Sequence, residues 1–381
     1  MPDADLYELA ERYRSEFPIF RSAVYLNSCS LGALSDRARR GLQEYADLWS
    51  RWGASAWYDY WLEVADAVRA SYARIIGVKR SEAALAPSIS GALASVCSAI
   101  DFSKRTRVVT TDLDFPTLVY HFLAKRADGV ETVVLSSPDG ISVPLEAFTE
   151  AVDERTAVIA TSHVYFTTGA IQDIAALSRL AHENGALLLI DAYQSIGQVP
   201  VDARAAGIDI LLSGGLKWLL GGTGLAYAYV RGELLERLEP TVVSWFGVED
   251  QFDFDPRRLR LRGDARRFEL GTPAVPTLYT ARAGLELIEE IGVERIRTRV
   301  ASLTEDLRDR ALAHGLRVRG AGERERRSGI VMVEHRDPAA AVKRLRDAGV
   351  IVDHRPGAVR MSPHFYNTTE DSAAAIEAMA V

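Results

Sequence analysis

A chain of 381 residues with 48% hydrophobic and 25% charged residues has room for one large domain and a smaller one, each around an apolar core. A net charge of -7 offers no basic surface to nucleic acid, and the apolar runs are far shorter than a membrane span. The acidic, amphipathic start MPDADLYELAERY is unlike a signal or transit peptide, and two cysteines without a CxxC, with seven scattered histidines, give neither a disulfide framework nor metal-ligand spacing. The expectation is a reduced, cytoplasmic enzyme that holds no metal.

Taken in order, Leu6–Phe17 has helical periodicity and is expected to pack on the C-terminal domain. Tyr25–Leu34 reads as irregular. The cluster Trp49, Trp52, Trp57, Tyr58, Tyr60 and Trp61 fits either core and dimer interface or the mouth of a substrate pocket. Glu82–Ala86 is a short strand, and Ser88, Ser90 and Gly91 open a helix running to about Ile100. Small and hydroxyl residues there serve either as an N-cap or as an anion site built on free N–H groups. Arg107–Thr111 is a strand, followed by Phe115-Pro116, with Pro116 suited to the first turn of the next helix. Phe115 itself fits an apolar staple.

Glu131–Leu135 and Ala157–Thr161 are further strands, and Asp173 caps an amphipathic helix that ends before Gly185. Strand, loop, helix and strand at this spacing make βαβ units, so the sheet is mainly parallel. Gly224–Val230 alternates as a strand. A helix from about Thr277 to Ile291 leads into a smaller α+β unit. That unit reads as helix Ile296–Ala313, strands Leu316–Arg319 and Gly329–Glu334, helix Ala339–Ala348, strand Val350–His354, a strand through Arg360, and helix Glu370–Met379.

The stretch from Leu187 to Gly224 carries the chemistry. Asp191 closes the apolar run Leu187-Leu188-Leu189-Ile190, and a carboxylate at the end of a central strand faces the crevice where α/β sheets bind ligands. A turn or helix N-cap is the plainer role for it. Lys217 sits among Gly and apolar residues. It either snorkels to solvent or is used as an amine. Only five of the 45 basic residues are Lys, so the chain writes Arg wherever any positive charge suffices. A desolvated lysine loses its proton readily and forms a Schiff base with a carbonyl. Lysine for an aldehyde and an anion for a pyridine nitrogen are what pyridoxal phosphate needs.

With Tyr25-Leu26-Asn27-Ser28, Arg267-Phe268-Glu269-Leu270-Gly271-Thr272-Pro273 and Val359-Arg360-Met361-Ser362-Pro363, this stretch resembles the class V aminotransferase family of pyridoxal-phosphate enzymes. The resemblance spans almost the whole chain. It implies fold type I: a mainly parallel seven-stranded sheet, with Gly224–Val230 as its antiparallel edge strand and helices on both faces, in residues 20–285, and a smaller α+β domain of residues 286–381 with the N-terminal helix 1–19. It implies pyridoxal 5'-phosphate as cofactor, a small amino-acid substrate, and a homodimer with shared active sites. By the same resemblance Lys217 carries the cofactor and Asp191 pairs with its ring nitrogen. Phe115 stacks on the ring, Ser90 and Gly91 reach the phosphate, and Arg360 binds the substrate α-carboxylate; Ser213, four residues before Lys217, is close enough in sequence to reach the phosphate as well. Arg355 either assists Arg360 or lies on the surface. Gly271 and Thr272 correspond to positions that reach the partner's phosphate. Phe166 stands where relatives often place a donor to the cofactor's phenolic oxygen. Phe cannot donate, so that task falls to Gln194.

No Cys lies between Cys97 and the C-terminus, which removes the sulfur acceptor of the usual cysteine desulfurase. Gln194 replaces the His of kynureninases. The reading is a lyase or hydrolase that cleaves at Cβ, resembling kynureninase or a C–S lyase. Aminotransferase is the alternative, followed by amino-acid epimerase and a catalytically inactive member of the fold. Neither GxGxxG nor GxxxxGK[ST] opens a helix after a strand, which sets aside a nucleotide-binding enzyme.

Overall fold

The runs Leu187–Asp191 and Thr156–Ser162 bury almost every residue, which a strand can do only between two layers of helices. The structure, a computed structural model, describes residues 4–380, so the first three residues of the acidic start and Val381 lie outside it. Thirteen strands are described: β1 (Val24–Tyr25), β2 (Ala83–Ala86), β3 (Arg107–Thr111), β4 (Glu131–Leu135), β5 (Thr156–Ser162), β6 (Leu187–Asp191), β7 (Ile210–Gly214), β8 (Ala226–Val230), β9 (Val318–Arg319), β10 (Val331–Glu334), β11 (Val350–Ile351), β12 (Asp353–Arg355) and β13 (Ala358–Met361).

Seven of them form one sheet in the order β2-β8-β7-β6-β5-β3-β4. The run from β7 to β4 is parallel, and β8 is antiparallel to both its neighbours. The expectation that β8 is the edge strand is therefore corrected. β2, buried along its whole length, closes that edge. A buried hydrophobic β2 needs cover, which the turn Ala265–Phe268 supplies by packing against it.

Alternation along the strands divides the core in two. Val109, Ile159, Leu188, Ile190, Leu211 and Tyr227 pack on one side, with helices Leu62–Ile75, Ile174–Glu183 and Val275–Ile291. Val108, Val158, Leu189, Leu212 and Ala228 face the other, under helices Ile89–Cys97 and Pro116–Ala124. Asp191 shares the parity of Leu189 and points to this second side at the strand's C-terminal end.

The later elements form a four-stranded antiparallel sheet, β12-β13-β10-β9, backed by helices Val293–Ala313, Pro338–Asp347 and Thr369–Ala380. The strand read as Val350–His354 is two strands. β11 pairs in parallel with β1, and after Val352 the chain re-enters as β12 beside β13. The N-terminal segment is thereby stitched to the C-terminal sheet, with Asn27 bridged to Ser362. Tyr13 and Phe17 pack edge-on against Phe365 at 5.9 and 6.0 Å. Among the described residues no helix is long and apolar enough to cross a membrane.

The loop after β7 is held tightly. The Gly32 N–H donates to the Leu216 carbonyl at 2.8 Å, and His364 Nε2 lies 3.1 Å from the Trp218 carbonyl. Leu220 takes a left-handed backbone, φ 58°, while fully buried. Helix Val275–Ile291 passes so close that a Cβ at Gly284 would lie 2.2 Å from the Leu219 carbonyl oxygen. Gly284→Ala gains helix propensity of up to ~1 kcal/mol but forces this contact apart. It should lower stability by about 1–3 kcal/mol. Denaturant unfolding checks this, and a more stable variant would show that the helix does not press on the loop.

Candidate active site

Two consecutive parallel strands, β6 and β7, end side by side and deliver the residues that matter. Asp191 ends β6, and Lys217 follows β7 by three residues. Both line a cavity of about 240 Å³, together with Phe115, Phe166, Tyr193 and Gln194.

The Lys217 amine has no hydrogen bond and no ion pair among the described residues. The group that its Nζ meets is the ring of Tyr193, 4.2 Å from its centroid. Burial pushes the amine from 10.5 down to about 8, opposed by Cys29 and Asp191 and helped by Arg360 and Arg355. An ammonium buried without a counter-ion is costly, so the position is specified by use rather than by stability.

Asp191 is 6% exposed. Its Oδ1 accepts the Tyr193 N–H at 2.9 Å, and its Oδ2 has no protein donor among the described residues. Burial raises its pKa from 3.8 to about 6. The Tyr193 N–H and Lys217 pull it down, and Asp114 pushes it further up. Gln194 is buried, with its orientation fixed. The indole N–H of Trp218 can only donate, so the Gln194 oxygen at 2.9 Å faces it and Nε2 donates to the Cys29 carbonyl at 3.0 Å. One N–H of the amide remains.

Phe115 stands half out of the wall, 44% exposed, its ring edge-on to Phe166 at 5.1 Å. It precedes Pro116 at the start of helix Pro116–Ala124. Its neighbour Asp114 fixes it. One Asp114 oxygen accepts from Thr110, the Thr111 N–H and the Thr111 hydroxyl, and the other from Thr161 and the Ser162 N–H. This buried carboxylate ties the Phe115 loop to the end of β5. It went unremarked in the sequence, where Asp112-Leu113-Asp114 reads as an ordinary polar turn.

Ser88 caps helix Ile89–Cys97, its hydroxyl accepting the Gly91 N–H at 3.1 Å. That leaves the Ile89 and Ser90 N–H groups without partners among the described residues. Ser90 is exposed. Ser213 points the other way. It alternates onto the side of Leu211 and is fully buried, with its hydroxyl on Tyr72 at 2.9 Å. The structure therefore does not bring Ser213 to the cavity. Gly271 and Thr272 are exposed and line a separate cleft beside Pro87 and Gly224. Of the aromatic cluster, Trp61 is buried while Trp49, Trp52 and Tyr58 are exposed, and none lines the Lys217 cavity.

Arg360 is 1% exposed and already engaged. It donates to the Phe166 carbonyl at 3.0 Å, to Ser30 at 2.8 Å and to Asp353 at 2.9 Å, and its Nε is buried without a partner. Arg355 meets the same Asp353 oxygen at 2.8 Å. The sequence named both arginines but not Asp353, which becomes their neighbour only when β12 pairs with β13.

The profile of the Aminotransferase class-V family matches residues 42–373. The chain belongs to the class V aminotransferase family. Its cofactor is pyridoxal 5'-phosphate, and it is a pyridoxal-phosphate-dependent enzyme. This class V chain is 36% identical over 372 residues to the uncharacterized aminotransferase YcbU of Bacillus subtilis, covering 98% of each. It is 30% identical over 359 residues to kynureninase of Pseudomonas fluorescens, covering 90% of this chain and 84% of that one. Among solved structures, the cystine C–S lyase C-DES superposes with a TM-score of 0.89 at 19% identity, covering 96% and 99%. The cysteine desulfurase of Thermococcus onnurineus superposes with 0.84 at 21%, covering 97% of each chain. These superpositions establish fold type I.

The residues present fit the cofactor. An unpaired amine, a carboxylate with one open oxygen and an aromatic face surround one cavity, and a helix with open N–H groups lies on the side to which Asp191 points.

Without cofactor, these charges destabilise the fold. Asp191 holds its proton more tightly folded than unfolded, so its penalty grows as pH rises from 3.8 to about 6 and is complete above that. Lys217 behaves in the opposite sense. Its penalty is complete below about 8 and fades as pH rises towards 10.5. In cofactor-free protein, Asp191→Asn should raise stability at pH 7 by on the order of 2–3 kcal/mol and leave it unchanged near pH 4. Urea unfolding at the two pH values tests this, and equal effects at both would show that the carboxylate is not desolvated.

Proposed function

We propose that this enzyme cleaves at Cβ of a small L-amino acid, as a lyase or hydrolase of the kynureninase or C–S lyase kind. The observation that carries the reading is the unpaired Lys217 amine, poised near neutrality in a cavity whose far walls are Phe115, Phe166 and Val164 and whose lining contains no cysteine. Bound pyridoxal phosphate supplies an aldehyde for amine exchange and a ring that accepts the electron pair left at the α-carbon. Lys217 Nζ carries the cofactor and then moves the α-proton, for which an amine near pH 8 is well matched. Asp191 Oδ2 would hold a proton on the ring nitrogen, Phe115 would cover the ring, and the open Ile89 and Ser90 N–H groups would be available to the phosphate. The remaining Gln194 N–H is the donor available to the phenolic oxygen, since Phe166 has none.

The α-carboxylate falls to Arg360, with Arg355 beside it. Two guanidiniums share the one Asp353 carboxylate, so the group carries a net positive charge, and the Arg360 Nε is a buried donor without a partner. A substrate carboxylate completes the balance without evicting Asp353.

A second reading, aminotransferase, is favoured by the identity with YcbU, whose name carries that activity. Product analysis separates the two. Turnover of a panel of L-amino acids bearing a leaving group on Cβ should release alanine or pyruvate many times per site without an added keto acid. A single turnover that resumes only when a keto acid is supplied would instead establish transamination. Lys217→Ala should lower kcat by at least about 10²–10⁴-fold, measured with the same substrate. A variant that kept its rate would remove Lys217 from the chemistry.

The enzyme is further inferred to be a homodimer. Trp245, Phe252 and Phe254 are exposed and in mutual ring contact, Trp245 stacked on Phe254 at 5.6 Å and Phe252 edge-on to both. Such a contiguous apolar surface is what a second copy would cover. Sedimentation should give twice the chain mass; a monomer at micromolar concentration would refute it.

A further inference from the structure

Gly214, the last residue of β7, is fully enclosed, and the reason is Tyr193. A Cβ at 214 would lie 2.0 Å from Tyr193 Cζ and 2.3 Å from its hydroxyl oxygen. The phenol end thus fills the space that any other side chain at 214 would occupy. Its ring face carries the Lys217 amine at 4.2 Å, and its backbone N–H holds Asp191. The ring also packs against the core cluster that contains Ile89, Ala92 and Leu93 of helix Ile89–Cys97. Tyr193 therefore presents a ring face to the reactive amine and lies on the side of the sheet covered by the helix whose first-turn N–H groups are open among the described residues.

The hydroxyl itself makes no hydrogen bond among the described residues, although Tyr193 is more than half buried. The hydroxyl keeps some accessible surface, so it is a donor open to a group that enters the cavity. Burial, with Asp191 nearby, pushes its pKa up to about 12, so it stays a donor at any working pH. A neutral donor on the side of the sheet from which a helix directs its open N–H groups is suited to an anion that the helix also binds.

We propose that the Tyr193 hydroxyl donates a hydrogen bond to the phosphate of bound pyridoxal phosphate, standing in the space that glycine at 214 leaves open. The proposal rests on this cavity being the cofactor's seat and is independent of which reaction follows. It couples two positions 21 residues apart. Tyr193 requires Gly214, and loss of the ring would leave room for a hydroxyl-bearing side chain at 214.

The test compares pyridoxal phosphate with pyridoxal, which lacks the phosphate, in titrations of cofactor-free protein followed by visible absorbance. Tyr193→Phe keeps the ring and its packing. It should raise the dissociation constant for pyridoxal phosphate about 10- to 100-fold, the worth of a hydrogen bond to a charged group, and change that for pyridoxal less than about twofold. Inorganic phosphate should raise the Tm of the wild type more than that of the variant. Y193A/G214S should bind pyridoxal phosphate more tightly than Y193A, because the serine returns a hydroxyl to the same place. Unchanged affinity in Tyr193→Phe would overturn the proposal, as would an equal loss for both compounds. Wild-type protein that took up neither compound would overturn the seat itself.

Discussion

The constraint on which the rest depends is an amine kept in a buried cavity without a counter-ion. Salt-bridging Lys217 would be simple chemistry, and the chain has 52 acidic residues with which to do it. Instead the nearest partner is the face of an aromatic ring, which attracts a cation but accepts no proton. A close carboxylate would hold the ammonium form and keep the amine from acting as a nucleophile. The ring allows the proton to leave. The loop that carries the lysine is correspondingly over-determined, with Leu220 left-handed, Trp218 fixed at its indole by Gln194 and its carbonyl beside His364, and the helix backbone at Gly284 pressed against it. Strain and burial at this loop persist because the surrounding core leaves it no alternative.

The three carboxylates around the cavity are separated in role by their partners. Asp114 spends both oxygens on hydroxyls and N–H groups and acts as a staple for the Phe115 loop. Asp353 spends its Oδ2 on Arg355, Arg360 and Ser30, and against burial the His354 N–H on its other oxygen, followed by the two guanidiniums, holds its pKa below the usual carboxylate range. Asp191 alone keeps an oxygen free in the cavity while burial resists its charge. A group in that state gains the most from a cationic partner brought in from outside, which is the property a pyridine nitrogen needs opposite it.

Much of this was legible in the sequence. Strand periods put β3 and β4 at their observed bounds and β2, β5, β6 and β8 within a residue or two, while β7 was given no bounds. The βαβ spacing implied a parallel sheet, and the scarcity of lysine singled out Lys217. What stayed hidden depends on pairing between distant segments. Val350–His354 reads as one strand because nothing local marks the switch at Val352 from β1 to β13. Gly224–Val230 looks like an edge because β2 is too short to advertise itself as the outer strand. Ser213 seemed near the phosphate by its distance from Lys217, but strand alternation turns it to the Tyr72 side, a parity readable from Leu211 and Leu212. Tyr193 was passed over because its meaning lies in the absence of a side chain at Gly214.

That pairing bears on how the site tolerates change. Asp191, Tyr193 and Gln194 come from one turn after β6, and Gly214 and Lys217 from one turn after β7. The two turns interlock through side-chain volume rather than through backbone hydrogen bonds, since the ring of residue 193 takes the place of a side chain at 214. Overpacking in such a space is not absorbed by flexible ends, because its walls are strand and ring. A single substitution at 214 would push the tyrosine against the very amine it supports. Polarity at this point can move between the two strands only if both positions change together. The cavity's chemistry is in that sense set by packing first and by charge second.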